Sequence, residues 1–598
     1  MVKVGSEIVK VRSITLVIIL VLAMMTAVYL GLEVVPKSVG ATITVDDSGG
    51  ANYTTIQAAV NAAQSGDTVF VYSGIYNEDV LINKTLTLTG EDRDTVVING
   101  TGTKTVVEIT SHWTNITDFS ITNSGGDWGY AGIKLYEADN CRILDNNIYS
   151  NGGDGIRFYS SSNNYITNNR IYSNDMDGIY FWEYSNENMI NNNYISDNTV
   201  GINILSYFEV PSYNDIINNN ITNNDGQGIY LISSTHNNIL NNNISNNGEG
   251  VYSVLGSNNN QILENNMEGN GAGIWIDQSN HNTVVDNSII NNDDAFFLTQ
   301  AGSNDISSNI VTSNTGYGFS LWMSGLNDIT DNIISYNNYG FDLSDSPYNN
   351  IYGNMIIGNS IQARDANDNN LWNDTYPSGG NFWSDYDGSD NYSGINQNIS
   401  GSDAIGDIPY VIDSDSHDYY PLMEPEGDFV FLRPGWNLIS IPTIQQVSDL
   451  SSVLDSISGS YDSVQYYNAG DISDHWKHYY SSKPDQLNDL VCIDHTMGIW
   501  VHIIGTKKVI FDDFGIQPSS NQYIQLQSGW NMVGYPSLAS YDRTIGLNNL
   551  TFGVHVDAIL SWNAEGQRWE EMDESDHFKI GKGYYIHAKS KCEWEVPL

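Results

Sequence analysis

The sequence predicts an all-β protein: a three-sided parallel β-helix with an N-terminal helical cap, followed by a duplicated small β domain. Three observations predict it. Asparagine recurs in three columns at a period of 22 or 23 residues across residues 131–375. Each repeat holds three short alternating segments, far too short for helices. After Pro421 and Pro425 the columns stop, and a tryptophan-containing pattern appears twice.

Residues 1–41 read as a signal peptide or an N-terminal membrane anchor. Lys3, Lys10 and Arg12 precede an apolar run from Ile14 to Leu32, and Gly40 and Ala41 are small enough for cleavage. The run is also just long enough to span a bilayer. Either way the chain is exported to the cell surface or the medium. Membrane association follows if the segment is retained. The formal net charge is −48, from 71 acidic and 23 basic residues. Such a surface repels nucleic acid and anionic lipid. The three cysteines are too few for a disulfide framework, although Cys492 and Cys592 could pair.

Residues 42–130 form the cap and the first coils. Thr54 or Thr55 can N-cap a helix that places Ile56, Ala59, Val60 and Ala63 on one face. That helix would plug the open end of the solenoid core. Strands follow over 68–72 and 85–89.

The repeats span residues 131–375. One asparagine column runs from Asn146 through Asn242 to Asn354, and a second from Asn151 through Asn247 to Asn359. A third runs from Asn164 through Asn237 to Asn349, with Cys141 in its first place. Aliphatic residues such as Ile239, Ile244 and Val251 point inward. The asparagines are expected at turns, where they tolerate left-handed backbone. Coils stack about 4.8 Å apart, so equivalent amides can bond along a ladder.

Residues 376–425 form an acidic C-terminal cap or linker. Within "SDYDGSD", Asp385, Asp387 and Asp390 offer hard oxygen ligands suited to a structural calcium ion, without the terminal Glu of a full twelve-residue loop. No other cofactor is required. In residues 426–598, "LRPGWNLISIP" recurs as "LQSGWNMVGYP", "HWKHYY" corresponds to "RWEEMD", and "MGIWVHI" to "KGYYIHA". This is a duplicated, mostly β module. Trp436 and Trp530 are expected in its cores, with His502 and His587 in structural roles.

The opening "TTIQAAVNAAQSGDTVFVYSGIYNEDV", the laddered repeats and "GGNFWSDYDGSD…IGDIPYVIDSDSHDYYPLM" together resemble NosD-like right-handed β-helix proteins, within the pectin-lyase-like group of carbohydrate-binding and sugar-hydrolase β-helices. The resemblance covers residues 42–425. It implies a right-handed solenoid; one fold hosts many functions, so it does not fix an activity. It also brings the alternative of a copper-site accessory protein. Copper sites need clustered His, Cys or Met, and the coils offer only His236, His281 and scattered methionines. Gly74 to Glu78 matches a G-x-Y-x-E signature of pectin methylesterases. Their catalytic signatures are absent, so it reads as part of the fold start. The C-terminal copies resemble G-W-N-repeat modules of exported surface proteins.

No Lys or Arg occurs from Ile171 to Ala363, so a lyase site there would lack its base. The best carboxylate pair is Asp154 and Asp177, one coil apart and near the ~5 Å separation of retaining glycosidases; two solvated turn residues are the plainer reading. More distinctive is an outward aromatic at one position of successive coils: Tyr230, Tyr252, Trp275 and Phe297, with Tyr180 two coils earlier. Such a stripe suits sugar rings, or it is cross-coil packing. The insertion from Ser206 to Ser212 could wall it. These features point to a non-catalytic, exported surface protein that presents a carbohydrate-binding face to a polysaccharide or cell-wall glycan. A polysaccharide-active hydrolase or lyase is the alternative.

Overall fold

The computed structural model describes residues 40–597, apart from 206–211, 367–368, 424–429, 446–447, 485–486, 506–508, 512–517, 538, 565 and 575. The leader lies outside the described residues except for Gly40 and Ala41, and so does most of the Ser206 to Ser212 insertion. Among the described residues, no helix is long and apolar enough to cross a membrane. The described residues divide into two compact units, one up to Tyr194 and one from Ile195 onward.

The first unit is a three-sided parallel β-solenoid. One sheet runs through Thr42–Val45, Thr68–Val71 and Thr87–Gly90 to Tyr165–Thr167. The second runs through Val80–Ile82, Val107–Ile109, Ala131–Tyr136, Asp154–Tyr159 and Ile179–Trp182. The third runs from Gly74–Asn77 to Arg170–Tyr172. The helix Ile56–Ala62 forms as expected and buries Ile56, Ala59 and Val60. Its cap differs from expectation. Thr55 holds the N-cap position, but its side chain makes no capping bond. The Glu78 carboxylate accepts from Ile56 N (2.7 Å) and Gln57 N (2.9 Å) instead. An acidic group there satisfies two orphan amides and complements the helix dipole. The Gly74 to Glu78 motif therefore belongs to the fold start.

The second unit has a three-sheet parallel architecture of the same kind, with strands from Ile202–Leu205 to Phe382–Trp383. Inward aliphatics such as Ile239, Ile244 and Val251 are fully buried. The ladders form in both units, with one refinement. The ladder asparagines are buried, and the left-handed residue is the one before each. Asn241 has φ +54° and Asn246 φ +55°, preceding Asn242 and Asn247. Asn242 shows the bonding. Its Nδ2 donates to Ile216 O (2.8 Å), Leu240 O (3.2 Å) and Asn265 Oδ1 (3.0 Å). Its Oδ1 accepts from both nitrogens of Asn219, at 2.8 and 3.0 Å. The columns also run further than the repeat pattern indicated, to Asn370 and Asn381. At that end Trp372 and Trp383 are fully buried, and their indoles donate to the buried carboxylates Asp365 and Asp418.

The C-terminal region holds two four-stranded antiparallel sheets of identical strand order. The first comprises Gly435–Ser440, Gly498–Ile503, Tyr461–Tyr467 and Trp476–Tyr480, and the second Gly529–Val533, Tyr584–Ala588, Val556–Asn563 and Arg568–Glu571. Each has its own core, around Ile499 and Val501 in one copy and Ile586 and Trp594 in the other. All three cysteines are free, so the Cys492–Cys592 pair is not formed.

Candidate functional site

In the second unit the outward position of one sheet forms a continuous column. The register places Tyr230 beside Tyr252, then Trp275, Phe297, Ser320, Asp342 and Arg364. The residues on either side, such as Ile274 and Ile276 about Trp275, point into the core and are fully buried. Alternation on a pleated strand therefore forces the aromatics outward.

The four rings are half-buried and lie against one another. Tyr230 and Tyr252 stack with centroids 5.1 Å apart and planes 6° from parallel, and Tyr252 and Trp275 stack at 4.6 Å and 24°. Trp275 and Phe297 meet edge to face at 5.2 Å and 79°. Parallel stacking uses up ring faces, so most of the stripe offers edges to solvent. The regular stack ends at Phe297, whose next neighbour in the column is the small Ser320. Beyond it, Arg364 closes the column with two bonds to Asp342, at 2.7 and 3.0 Å. Around Trp275, three buried polar atoms have no protein partner among the described residues: Trp275 Nε1, Asp277 Oδ1 and Thr299 Oγ1. Burial and the nearby Asp277 carboxylate push the Tyr252 phenol up to about 12.

Tyr180 departs from the stripe. It lies in the first unit and is only 5% exposed. The Arg157 guanidinium sits between its ring (4.2 Å) and that of Trp128 (4.5 Å). The same arginine occupies the proposed carboxylate pair. Its Nη1 donates to Asp154 Oδ2 at 2.6 Å, while Asp177 N donates to Asp154 Oδ1 at 3.2 Å. Asp154 is 2% exposed and Asp177 9%. Burial pushes Asp154 up to about 6, although Arg157 pulls the other way. The sequence spacing identified neighbours but not the arginine that bonds Asp154, nor the two aromatic rings that lie against that arginine.

In the acidic cap the three candidate calcium ligands have different surroundings. Asp390 accepts from Ser402, Asp403 and Ala404, whereas Asp385 accepts from Gln362 and the Tyr410 hydroxyl. Asp385 and Asp387 line a polar cleft with Trp383 and Arg433, and Asp390 lies outside it. Among the described residues, no group of three or more His, Cys, Asp or Glu could hold an ion. His236 and His281 occupy left-handed turn positions two coils apart, roughly 9.6 Å, too far to share a copper ion.

The C-terminal module brought a surprise. Trp436 and Trp530 are half-buried, not core residues. Their sheet faces meet the other copy over Leu438, Trp500 and Met532. His502 and His587 each pair with an aspartate, Asp462 and Asp557, in equivalent bulges, which fits a structural role. The cluster was missed because its tryptophans come from both copies. The signal available was an aromatic residue at equivalent places of the duplicated strands, such as Trp476 and Trp569 or Trp500 and Tyr585.

Residues 249–388 match the family described as "Periplasmic copper-binding protein (NosD)", and residues 105–267 match "Right handed beta helix region". No curated protein matches by sequence. Among solved structures, the chain is similar to the Azotobacter vinelandii mannuronan C-5 epimerase AlgE6 A-module, at 17% identity over 53% of this chain and 92% of that one, TM-score 0.40. A mannuronic acid specific polysaccharide family 6 lyase from human gut microbiota shows 14% identity over 53% and 84%, TM-score 0.39. Geobacillus virus E2 ORF18 shows 14% identity over 89% and 86%, TM-score 0.34. Likenesses this distant carry no activity across.

Proposed function

We infer that the chain is a NosD-like right-handed β-helix protein, from the family models that residues 105–388 match. We propose that it is exported and non-catalytic, and that it holds a neutral polysaccharide against the column from Tyr230 to Phe297. The observation that carries this reading is the aromatic column itself, on coils without Lys or Arg. Ring edges and the end of the stack at Phe297 supply apolar contact to sugar rings. An anionic polymer would be repelled by the surrounding carboxylates. Arg157 engages the Asp154 carboxylate, which is less suited to an open hydrolytic pair and supports a binding reading. NosD is described as periplasmic, in keeping with export.

The test is retention on neutral polysaccharide columns by wild type, Trp275→Ala and Phe297→Ala. Both variants should lose retention, and wild-type retention should vary little with salt. Phe297→Ala should lower the melting temperature slightly, through the loss of its one ring pair. Trp275→Ala should lower it slightly, because each aromatic pair contributes ~0.5–1.5 kcal/mol. If Trp275→Ala unfolds the protein while Phe297→Ala keeps full retention, the column is packing alone.

A further inference from the structure

The duplication builds a pocket that neither copy contains alone. The two copies meet about an approximate two-fold axis. Ile439 bridges to Lys582, and the equivalent Val533 bridges to Met497. Ser440 N donates to Gly581 O, and the equivalent Gly534 N to Thr496 O, both at 2.9 Å. Close approach is permitted by the equivalent glycines Gly498 and Gly583. A Cβ on the first would lie 2.5 Å from Val533 O, and on the second 2.6 Å from Ile439 O.

Beside this axis lies a cavity of about 420 Å³ walled by Trp436, Trp476, Trp500, Trp562, Trp569 and Tyr585. Three of the indoles are close to mutually perpendicular. Trp500 meets Trp562 at 80° and 4.9 Å, Trp500 meets Trp569 at 82° and 5.4 Å, and Trp562 meets Trp569 at 78° and 5.4 Å. A clamp across the copies fixes another wall. Trp562 Nε1 donates to Trp436 O at 2.8 Å, and Gln567 bonds both the N–H and the C=O of Trp436. Among the described residues no charged side chain lines the cavity, and its polar lining groups beyond the indoles are Gln465 and the Tyr585 phenol. Lys477 and Arg568, next in sequence to the lining Trp476 and Trp569, are paired with carboxylates: Lys477 with Asp471 and Asp474, and Arg568 with Glu570.

We propose that this cavity binds a small quaternary ammonium cation. Perpendicular aromatic walls suit a roughly spherical, weakly hydrated cation, which can touch the negative faces of several rings at once. A flat sugar ring uses one face or two parallel ones. The chain's net charge of −48 raises the local concentration of cations and lowers that of anions. The cavity has room for a tetraalkylammonium head with a short substituent. This inference is independent of glycan binding by the solenoid.

The experiment is a titration of the whole exported chain, followed by tryptophan fluorescence and calorimetry. The probes are tetramethylammonium, choline, the uncharged choline isostere 3,3-dimethylbutan-1-ol, and a neutral methyl glycoside. Choline should bind at least tenfold more tightly than its isostere. Trp569→Leu and Trp476→Leu should each weaken choline at least tenfold. Both side chains are 39% exposed, so the fold should survive. Trp569→Phe should recover part of the affinity, and Trp275→Ala should not affect it. Equal binding of choline and isostere would make this an apolar slot and overturn the proposal. Binding of the glycoside alone, or no binding by either ammonium probe, would overturn it too.

Discussion

Replacing Asn242 by leucine should cost the solenoid about 3–5 kcal/mol. The side chain is 2% exposed and makes five bonds through its amide. Leucine has similar volume but no polar atom, so the Asn219 backbone N–H loses its acceptor in a buried row. One orphaned buried group costs ~1–3 kcal/mol, and each further lost bond ~1 kcal/mol net. Burying the leucine returns ~2 kcal/mol. The neighbouring Asn241 provides the control, and the structure changes what it should show. Asn241 is exposed, at φ +54°, and donates from Nδ2 to Asn218 Oδ1 at 2.6 Å. Leucine there should cost ~1 kcal/mol for left-handed backbone, whereas glycine should be nearly neutral. Urea unfolding reads all three variants as midpoint shifts at constant slope. A loss for Asn242→Leu no larger than that for Asn241→Leu would refute the claim that the buried amide row, and not the turn, holds the coils in register.

Three further outcomes follow from the same structure. Burial pushes Asp418 up to about 7, above the ~3.9 of an unfolded aspartate, so its contribution is full below ~pH 4 and is lost as pH rises toward 7. Stability measured from pH 4 to 8 should fall by up to ~4 kcal/mol less in Asp418→Asn than in wild type; parallel profiles would contradict this. Alanine at Gly498 or Gly583 should destabilise the paired C-terminal copies by a similar ~1–3 kcal/mol, because each Cβ would press on a carbonyl of the other copy. Losses confined to one site in thermal unfolding would contradict the two-fold pairing. Because Asp385 and Asp390 serve different partners, calcium should raise the melting temperature of EDTA-treated protein no more than magnesium does. A calcium-selective gain would restore a calcium site there.

The parallel solenoid, its three asparagine ladders and the duplicated module were legible in the sequence. These follow from translational repetition: when every coil repeats the same local pattern, the period alone puts Asn242 over Asn265 and Tyr252 beside Trp275. Outwardness was legible too, because strand alternation sets it. Exposure was not, because it depends on what lies across the coil. Tyr180 alternates outward like Tyr230, yet Arg157 and its neighbours cover it, and the same arginine occupies the Asp154 carboxylate. The helix cap likewise came from Glu78, 22 residues beyond the amide it binds. The tryptophan box lay furthest from view. Its walls come from two copies that repeat in sequence but meet through a two-fold rotation, which leaves no mark on spacing; only the packing of one sheet face against the other makes Trp436, expected in a core, one side of a cavity with Trp500 and Trp569.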